Sequence, residues 1–146
     1  MRPMTPPPPA ERSAALVLAP ALLLVVLALA AIAVDLSALH HAHRTIHRVV
    51  ATAADDAAGI IDGHHLQVTG DVRIDQHAAT RLVTAQLEQS RLPGRLVGPP
   101  RVTLGDDASQ VTVRVTVDVD HIVARSMTTS RSTSRLVVTA SARMVP

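Results

Sequence analysis

The chain has 146 residues, 47% of them hydrophobic, and it contains no Cys, Phe, Tyr or Trp. The absence of cysteine excludes a disulfide framework, a thiolate metal site and a cysteine nucleophile, and the absence of aromatic rings removes stacking platforms for single-stranded nucleic acid. The chain contains Arg but no Lys. From Asp35 onward, 12 Arg are balanced by 11 Asp and Glu residues, so this part is nearly neutral and lacks the positive electrostatic potential that attracts nucleic acid.

The amino-terminal part combines a proline-rich tail with a long uncharged run. Residues 1–12 include Pro3 and four consecutive prolines, which predict an extended, disordered tail. Residues 13–34 carry no charge, and at about 1.5 Å per residue they cover roughly 33 Å, enough to cross a bilayer. We therefore predict a transmembrane helix over residues 13–34 and one external domain over residues 35–146.

A cleavable signal peptide is the main alternative to this anchor. Arg2 and Arg12 precede the apolar run, and Ala31-Ile32-Ala33 has the small-x-small form of a cleavage site. The run is longer than the usual signal core of about 7 to 15 residues, which favours an uncleaved anchor. The positive charges on the two sides of the apolar run nearly balance, so they do not decide the orientation of the helix in the membrane. Long segments, such as the one after this run, are translocated largely regardless of their charge. We expect a single-pass protein of the cell membrane with its carboxyl-terminal domain outside, and a small secreted domain remains the alternative.

The helical pattern continues beyond the predicted transmembrane segment, with no Pro or Gly to interrupt it. Apolar residues recur at spacings of three and four over about 25 residues, and Gly59 with Asp62-Gly63 supplies the stop. Such a helix can bury its apolar stripe against its own domain or against copies of itself, and in either case it is an assembly element. We assign to this assembly helix Asp35, Leu36, Leu39, Ile46, Val50, Ala53, Ala57 and Ile60.

The next segment predicts a hairpin followed by a helix. Alternating apolar residues from Leu66 to Ile74 surround Thr69-Gly70-Asp71, which is typical of a short hairpin. Asp75 is a suitable N-cap for a second helix over residues 76–90, which Pro93-Gly94 ends. This helix offers to the core Ala78, Ala79, Leu82, Val83 and Leu87.

The last part of the chain predicts a small antiparallel sheet. Val102 and Leu104 precede a Gly105-Asp106-Asp107 turn, and residues 111–119 alternate strictly between Val and polar residues. The partner strand is predicted over residues 136–145. Between them we expect a short amphipathic piece, residues 121–127, and a Ser/Thr-rich loop, residues 128–134. The fold class is thus α+β: a transmembrane helix continuing into a long amphipathic helix, a second helix and a small antiparallel sheet.

This organisation resembles the TadE/TadG-like family, the minor pilin-like membrane proteins of tight-adherence (Flp) pilus assembly. Members have an Arg-Gly-Ser-type start of one apolar helix, a Val-Asp-Leu-Gly-type exit and an alanine-rich helix with Ala-Ala-Asp-Ala-Ala. The matching stretches here are Arg12-Ser13-Ala14-Ala15, Ala33-Val34-Asp35-Leu36-Ser37 and Ala53-Ala54-Asp55-Asp56-Ala57-Ala58, and the carboxyl end matches in Val111 to Val119, Ile122-Val123-Ala124-Arg125 and Ala140-Ser141-Ala142.

The resemblance implies a pilin-like external domain and a non-enzymatic role in a pilus or related secretion apparatus. Pilin-type precursors carry a Gly at the processing site and a Glu five residues into the mature helix, whereas here Ser13 follows Arg12 directly and residues 14–21 contain no Glu. This departure points to an unprocessed accessory or priming subunit. The expected partners are membrane lipid, other pilin-like or secretion-platform subunits and copies of the chain itself. We expect no nucleic acid, small-molecule substrate or cofactor.

Two groups of residues offer alternative chemistry. His40, His43 and His47 share one helix face just outside the membrane, where imidazoles can bind zinc, so a membrane-tethered metal-binding or sensory domain is a second hypothesis. No carboxylate that would orient these imidazoles is evident, which favours a polar face in contact with lipid phosphates or partner carboxylates.

The acidic cluster offers a further candidate. It comprises Asp106-Asp107, Asp118 and Asp120, without a twelve-residue calcium loop. Asp106-Asp107 suits a turn, and Asp118 and Asp120 suit the solvent face of a strand, so a structural role is favoured. The hydroxyls from Ser126 to Ser134 form no nucleophile elbow or coherent triad.

Overall fold

The computed structural model describes residues 9–106, 108–121, 123 and 133–144. The predicted α+β class is confirmed, because helices come first in the chain and an antiparallel sheet comes last. The elements are α1 (Pro9–Ala58), α2 (Gly63–Thr69), α3 (Gln76–Gln89), β1 (Arg95–Leu96), β2 (Arg101–Leu104), β3 (Gln110–Asp120) and β4 (Thr133–Arg143).

Helix α1 is the longest element and joins the apolar run to the rest of the protein. It has 50 residues, which corresponds to about 75 Å, and it continues through Pro20. The helix begins at Pro9, so residues 9–12, which the sequence placed in the disordered tail, are helical; residues 1–8 of that tail lie outside the described residues. It ends at Ala58, next to the predicted stop at Gly59.

The hairpin predicted between α1 and α3 is wrong. Residues 63–69 form helix α2 because the Asp62 side chain accepts a hydrogen bond from the His65 N–H at 3.0 Å and caps the amino end. Gly70 takes a left-handed conformation with φ 78° and closes the carboxyl end. Of the strand-like pattern only an isolated antiparallel bridge between Ile61 and Ile74 remains. The alternating residues Leu66, Val68 and Val72 are exposed, so they never supplied a buried strand face.

Helix α3 agrees with the sequence prediction. Asp75 is its N-cap, and the carboxylate accepts a hydrogen bond from the Ala78 N–H at 3.0 Å. The helix buries Ala79, Val83 and Leu87, whereas Ala78 and Leu82 are only half-buried. The spacing of four between the buried residues fits one stripe directed at the core.

The sheet is built around the long strand β3. Strand β4 pairs antiparallel with β3 over its whole length, from Gln110 with Arg143 to Asp120 with Thr133. On the other side of β3, strands β2 and β1 follow each other along the same edge. The two-residue strand β1 was not predicted. Strand β4 was predicted over residues 136–145 and begins at Thr133, so it includes the last two residues of the predicted 128–134 loop; the rest of that loop lies outside the described residues.

The core lies between the inner face of the sheet and helices α1 and α3. Strand β3 contributes Val111, Val113, Val115 and Val117, all with essentially no exposure, as its alternating sequence predicted. Helix α1 covers this face with Ile46, Val50 and a series of alanines, whose small side chains allow close approach to the sheet. The other residues of this core include Ile74, Ala79, Val83, Leu87, Val138, Ala140 and Ala142.

The sheet has one end towards the apolar run and one end away from it. Near the run, Asp35 of α1 accepts a hydrogen bond from the backbone of Val123, just after β3. At the other end, Ala58 and Ile61 line a cavity of about 620 Å³ together with Met144, just after β4. Helix α1 therefore crosses the inner face of the sheet from the span-proximal end to the span-distal end.

Candidate functional site

The candidate site is helix α1 itself, because its two halves have different surroundings. From Leu18 to Val34 the described side chains are exposed except for a half-buried Ala31, and none of the residues that the structure describes covers large apolar side chains such as Leu24 and Leu29. By length and composition the helix is apolar enough to cross a membrane. An uncovered apolar surface of this extent requires lipid or another protein around it.

The second half of α1 is part of the chain's own core. Ile46, Val50, Ala53 and Ala57, four of the residues assigned to the assembly helix, are buried against the sheet and α3. The sequence allowed the apolar stripe to pack against the chain's own domain or against other copies. In the structure these four side chains pack against their own domain, so they are not available to another subunit in this fold. The large apolar side chains of α1 that the described residues leave exposed lie in the apolar run and at Leu36.

The remaining assembly-helix residues differ in exposure. Leu36 is 61% exposed although it follows the uncharged run directly, whereas Leu39 is half-buried. Ile60 is half-buried beyond the end of α1, where its carbonyl accepts a hydrogen bond from the Asp75 N–H at 3.0 Å. Leu36 is therefore the assigned residue best placed to contact another molecule.

Asp35 connects the helix to the sheet at the end of the apolar run. Its side chain is 14% exposed, and Oδ1 accepts a hydrogen bond from the Val123 N–H at 2.8 Å. Oδ2 lies 4.0 Å from Nδ1 of His121, and Nε2 of His121 is 2.9 Å from the Ser134 hydroxyl. One carboxylate on α1 thus reaches both the residues after β3 and, through His121, the start of β4.

The order Asp35, His121 and Ser134 is the order of side chains in a serine hydrolase triad, which the sequence did not indicate. Nucleophilic catalysis needs the imidazole held by a hydrogen bond from the carboxylate, and 4.0 Å is too long for one. The carboxylate instead accepts a backbone N–H, and that contact fixes the chain after β3. We assign these residues to a structural tether, which no sequence signal could reveal because its partners are 88 and 13 residues apart.

The histidine face is present on α1 but does not converge on one point. His40, His43 and His47 are all exposed, and the rings of His43 and His47 are stacked with centroids 6.4 Å apart. A shallow cavity of about 410 Å³ along this face is lined by His43, His47 and Asp55, with Arg44 and Arg48 between them. Among the residues that the structure describes, no group of three His, Asp or Glu side chains is placed to hold a metal ion.

The acidic residues are dispersed over the sheet. Asp106 lies in the turn between β2 and β3, and Asp107 lies outside the described residues. Asp118 pairs with Arg135 of β4, whose Nε and Nη2 donate to the carboxylate at 2.9 and 3.3 Å. This hydrogen bonding from Arg135 holds the pKa of Asp118 below its ordinary value. The Asp118 carboxylate is thus engaged in a cross-strand pair.

Comparison with protein-family models, with curated proteins and with solved structures gives no match. The resemblance to the TadE/TadG-like family therefore stands on the sequence motifs alone, and a functional assignment depends on the chain's own residues.

Proposed function

We propose that the protein is a non-enzymatic, single-pass membrane component of a Tad/Flp-type pilus or a related secretion apparatus. It acts as a minor pilin-like or accessory subunit, and the span-proximal part of α1 contacts the other subunits. The external domain faces away from the cytoplasm.

The observation that carries this proposal is the division of one continuous helix into two environments. Its first half presents an apolar surface that the described part of the chain leaves uncovered, and its second half is built into an α+β domain. A continuous helix of this kind would set the height and orientation of the domain above a membrane. That property suits a subunit that must meet other subunits in a defined register.

Leu36 makes the proposal testable, because it is exposed beside the span and the natural chain has no cysteine. A Leu36→Cys variant, produced in cells that carry the apparatus, is treated with a crosslinker that has a thiol-reactive maleimide at one end and a photoreactive group at the other. We expect an adduct whose second component is a pilin-like subunit, a platform subunit or a second copy of the chain, as identified by mass spectrometry.

Ala85→Cys on the exposed face of α3 is the matched control and is expected to give little adduct. Both variants are first compared for membrane content and thermal unfolding. The proposal is wrong if Leu36→Cys gives no adduct, gives adducts only with unrelated proteins, or gives the same adducts as Ala85→Cys.

A further inference from the structure

The outer face of the sheet, opposite α1 and α3, carries an excess of positive charge. The register places on this face five arginines and only two acidic residues of the described strands. Asp118 already pairs with Arg135 and also lies opposite Arg95. The face as a whole is therefore basic although the external part of the chain is nearly neutral. The residues concerned are Arg95, Arg101, Arg114, Arg135, Arg143, Asp118 and Asp120.

Two of these arginines lie directly opposite each other. Arg101 of β2 and Arg114 of β3 are Cα partners in the antiparallel ladder, and both side chains are exposed. Like charges at directly opposed positions destabilise a strand pair, since their Cβ atoms are only about 4.5–5.5 Å apart. Neither guanidinium has a carboxylate partner among the described residues. The pair is thus a site of unbalanced positive charge that a bound anion would stabilise.

A cavity is built beside this pair. It has a volume of about 420 Å³, and its lining comprises Val97, Gly98, Pro99, Arg101, Arg114, Thr116 and Val137. None of the described residues of this lining is acidic. The hydroxyl of Thr116 supplies a further hydrogen-bonding group, and Val97 and Val137 provide apolar walls. Arginines with a hydroxyl in a partly apolar cavity suit a phosphate group.

The cavity exists because the edge of the sheet is interrupted between β1 and β2. Both strands pair with β3, and the residues between them bulge out of the ladder after Val97, whose N–H donates to the Thr116 carbonyl at 2.8 Å. Gly98 permits this path with φ 75°, and a Cβ added there would meet nothing within 4 Å. Bulges of this kind redirect side chains at functional sites.

We propose that the cavity between Arg101 and Arg114 binds a phosphate group. The guanidinium groups donate charge-assisted hydrogen bonds to the phosphate oxygens, and the apolar walls contact the rest of the ligand. Arg114 lies six residues from the span-proximal end of β3, which is about 20 Å at the rise of a strand. The site is thus separated along the strand from the apolar run, which favours phosphate from a soluble compound, a phosphate-bearing polymer or an opposing lipid surface.

The test measures phosphate binding by the full chain in nanodiscs of zwitterionic lipid. Titration calorimetry with inorganic phosphate and with polyphosphate is expected to give a dissociation constant of about 1 mM or below. Arg101→Gln and Arg114→Gln are each expected to weaken binding at least tenfold. Arg81→Gln, which removes an exposed arginine from α3 on the other side of the molecule, is expected to leave binding unchanged.

A second arm separates the sources of phosphate. Vesicles of phosphatidylglycerol are added to the nanodisc-bound protein and recovered by flotation; capture that requires Arg101 and Arg114 identifies a lipid headgroup, whereas phosphate binding without capture identifies a soluble or polymeric ligand. Absence of binding in both arms overturns the proposal, and so does an equal loss in Arg81→Gln. Thermal unfolding of each variant verifies that the fold is intact. The outcome is independent of the proposed role in pilus assembly, which the Leu36 crosslink tests.

Discussion

Val137 and Val138 show at the residue scale how strictly the alternation of β4 assigns each side chain to a face. Val138 is 2% exposed in the core, and its neighbour Val137 is 46% exposed on the outer face. Both are the same residue type in the same strand, so local strand propensity is matched between them. If Val→Ala substitutions at the two positions differ in their effect on the free energy of unfolding, the difference must then come from burial.

Val138→Ala is expected to lower the free energy of unfolding by about 2–3 kcal/mol, because it removes two buried methyl groups and leaves a cavity. Val137→Ala is expected to change it by less than about 0.5 kcal/mol. Denaturant unfolding of the full chain in detergent micelles measures both values. Equal losses in the two variants would contradict the assignment of faces in β4.

The pair of Asp118 with Arg135 predicts a specific pH dependence. The hydrogen bonds from Arg135 lower the pKa of Asp118 in the folded state. A folded-state pKa below the unfolded value means that the contribution of Asp118 to stability is present above the unfolded pKa and is lost as pH falls through the folded pKa. The pair therefore stabilises the protein at neutral pH and ceases to do so in acid.

The midpoint of Asp118 can be followed directly by NMR titration of its carboxyl carbon. In Arg135→Gln we expect the midpoint to move upward, because the dominant cause of the lowered pKa has been removed. Asp62 is the internal control, since its lowered pKa arises mainly from the His65 N–H and not from Arg135. An unchanged Asp118 midpoint in Arg135→Gln, or an equal shift of Asp62, would disprove this explanation.

At the scale of elements, the sequence predicted what depends on periodicity and missed what depends on local hydrogen bonds or on distant partners. The strict alternation in residues 111–119 identified β3 and its buried face correctly, and Asp75 identified the start of α3. Apolar residues also alternate from Leu66 to Ile74, but the cap at Asp62 and the left-handed Gly70 make a helix over residues 63–69. Alternation over a few residues is compatible with either structure, and no side chain of α2 is buried in the core to decide between them.

The candidate site likewise combines features that periodicity predicted with features that depend on distant partners. The spacing predicted one apolar stripe along α1, and only the tertiary structure distinguishes the buried Val50 from the exposed Leu36. The contact of Asp35 with Val123 joins residues 88 positions apart, and the opposition of Arg101 and Arg114 depends on strand register. Periodicity within one segment contains no information about either contact.

The tether from Asp35 makes a prediction about the connection between α1 and the sheet. Asp35→Ala removes the acceptor of the Val123 N–H, a hydrogen bond to a charged group that contributes about 1.5–3 kcal/mol. Amide exchange at Val123 is expected to accelerate by about tenfold to a hundredfold, because local opening becomes easier. Asp55→Ala changes an exposed carboxylate of the same helix and is the control.

Hydrogen–deuterium exchange of the full chain in nanodiscs measures this effect. Exchange in the central residues of β3 is expected to be unchanged in both variants, since the core does not depend on Asp35. Unaltered protection at Val123 in Asp35→Ala would show that the tether does not hold this segment.

At the scale of the whole molecule, the continuity of α1 determines what amino-terminal processing would do. Cleavage after Ala33, as by a signal peptidase, would separate the apolar run from the domain and leave Asp35 as the second residue of the product. Cleavage before Ser13 would keep the span attached. An uncut chain keeps both the span and residues 1–12. These three products differ in mass and in whether they stay with the membrane, so one measurement distinguishes them.

We expect intact protein in the membrane fraction and none in the medium, as determined by mass spectrometry of both fractions. The reason for this expectation is that the uncharged run is longer than a usual signal core, although Ala31-Ile32-Ala33 has the form of a cleavage site, and that the start of the run lacks the Gly and Glu of pilin-type precursors. A chain starting near Ser13 in membranes would restore the possibility of pilin-type processing. A chain starting near Val34 in the medium would disprove the anchor, because the α+β domain would then act without the span that its longest helix continues.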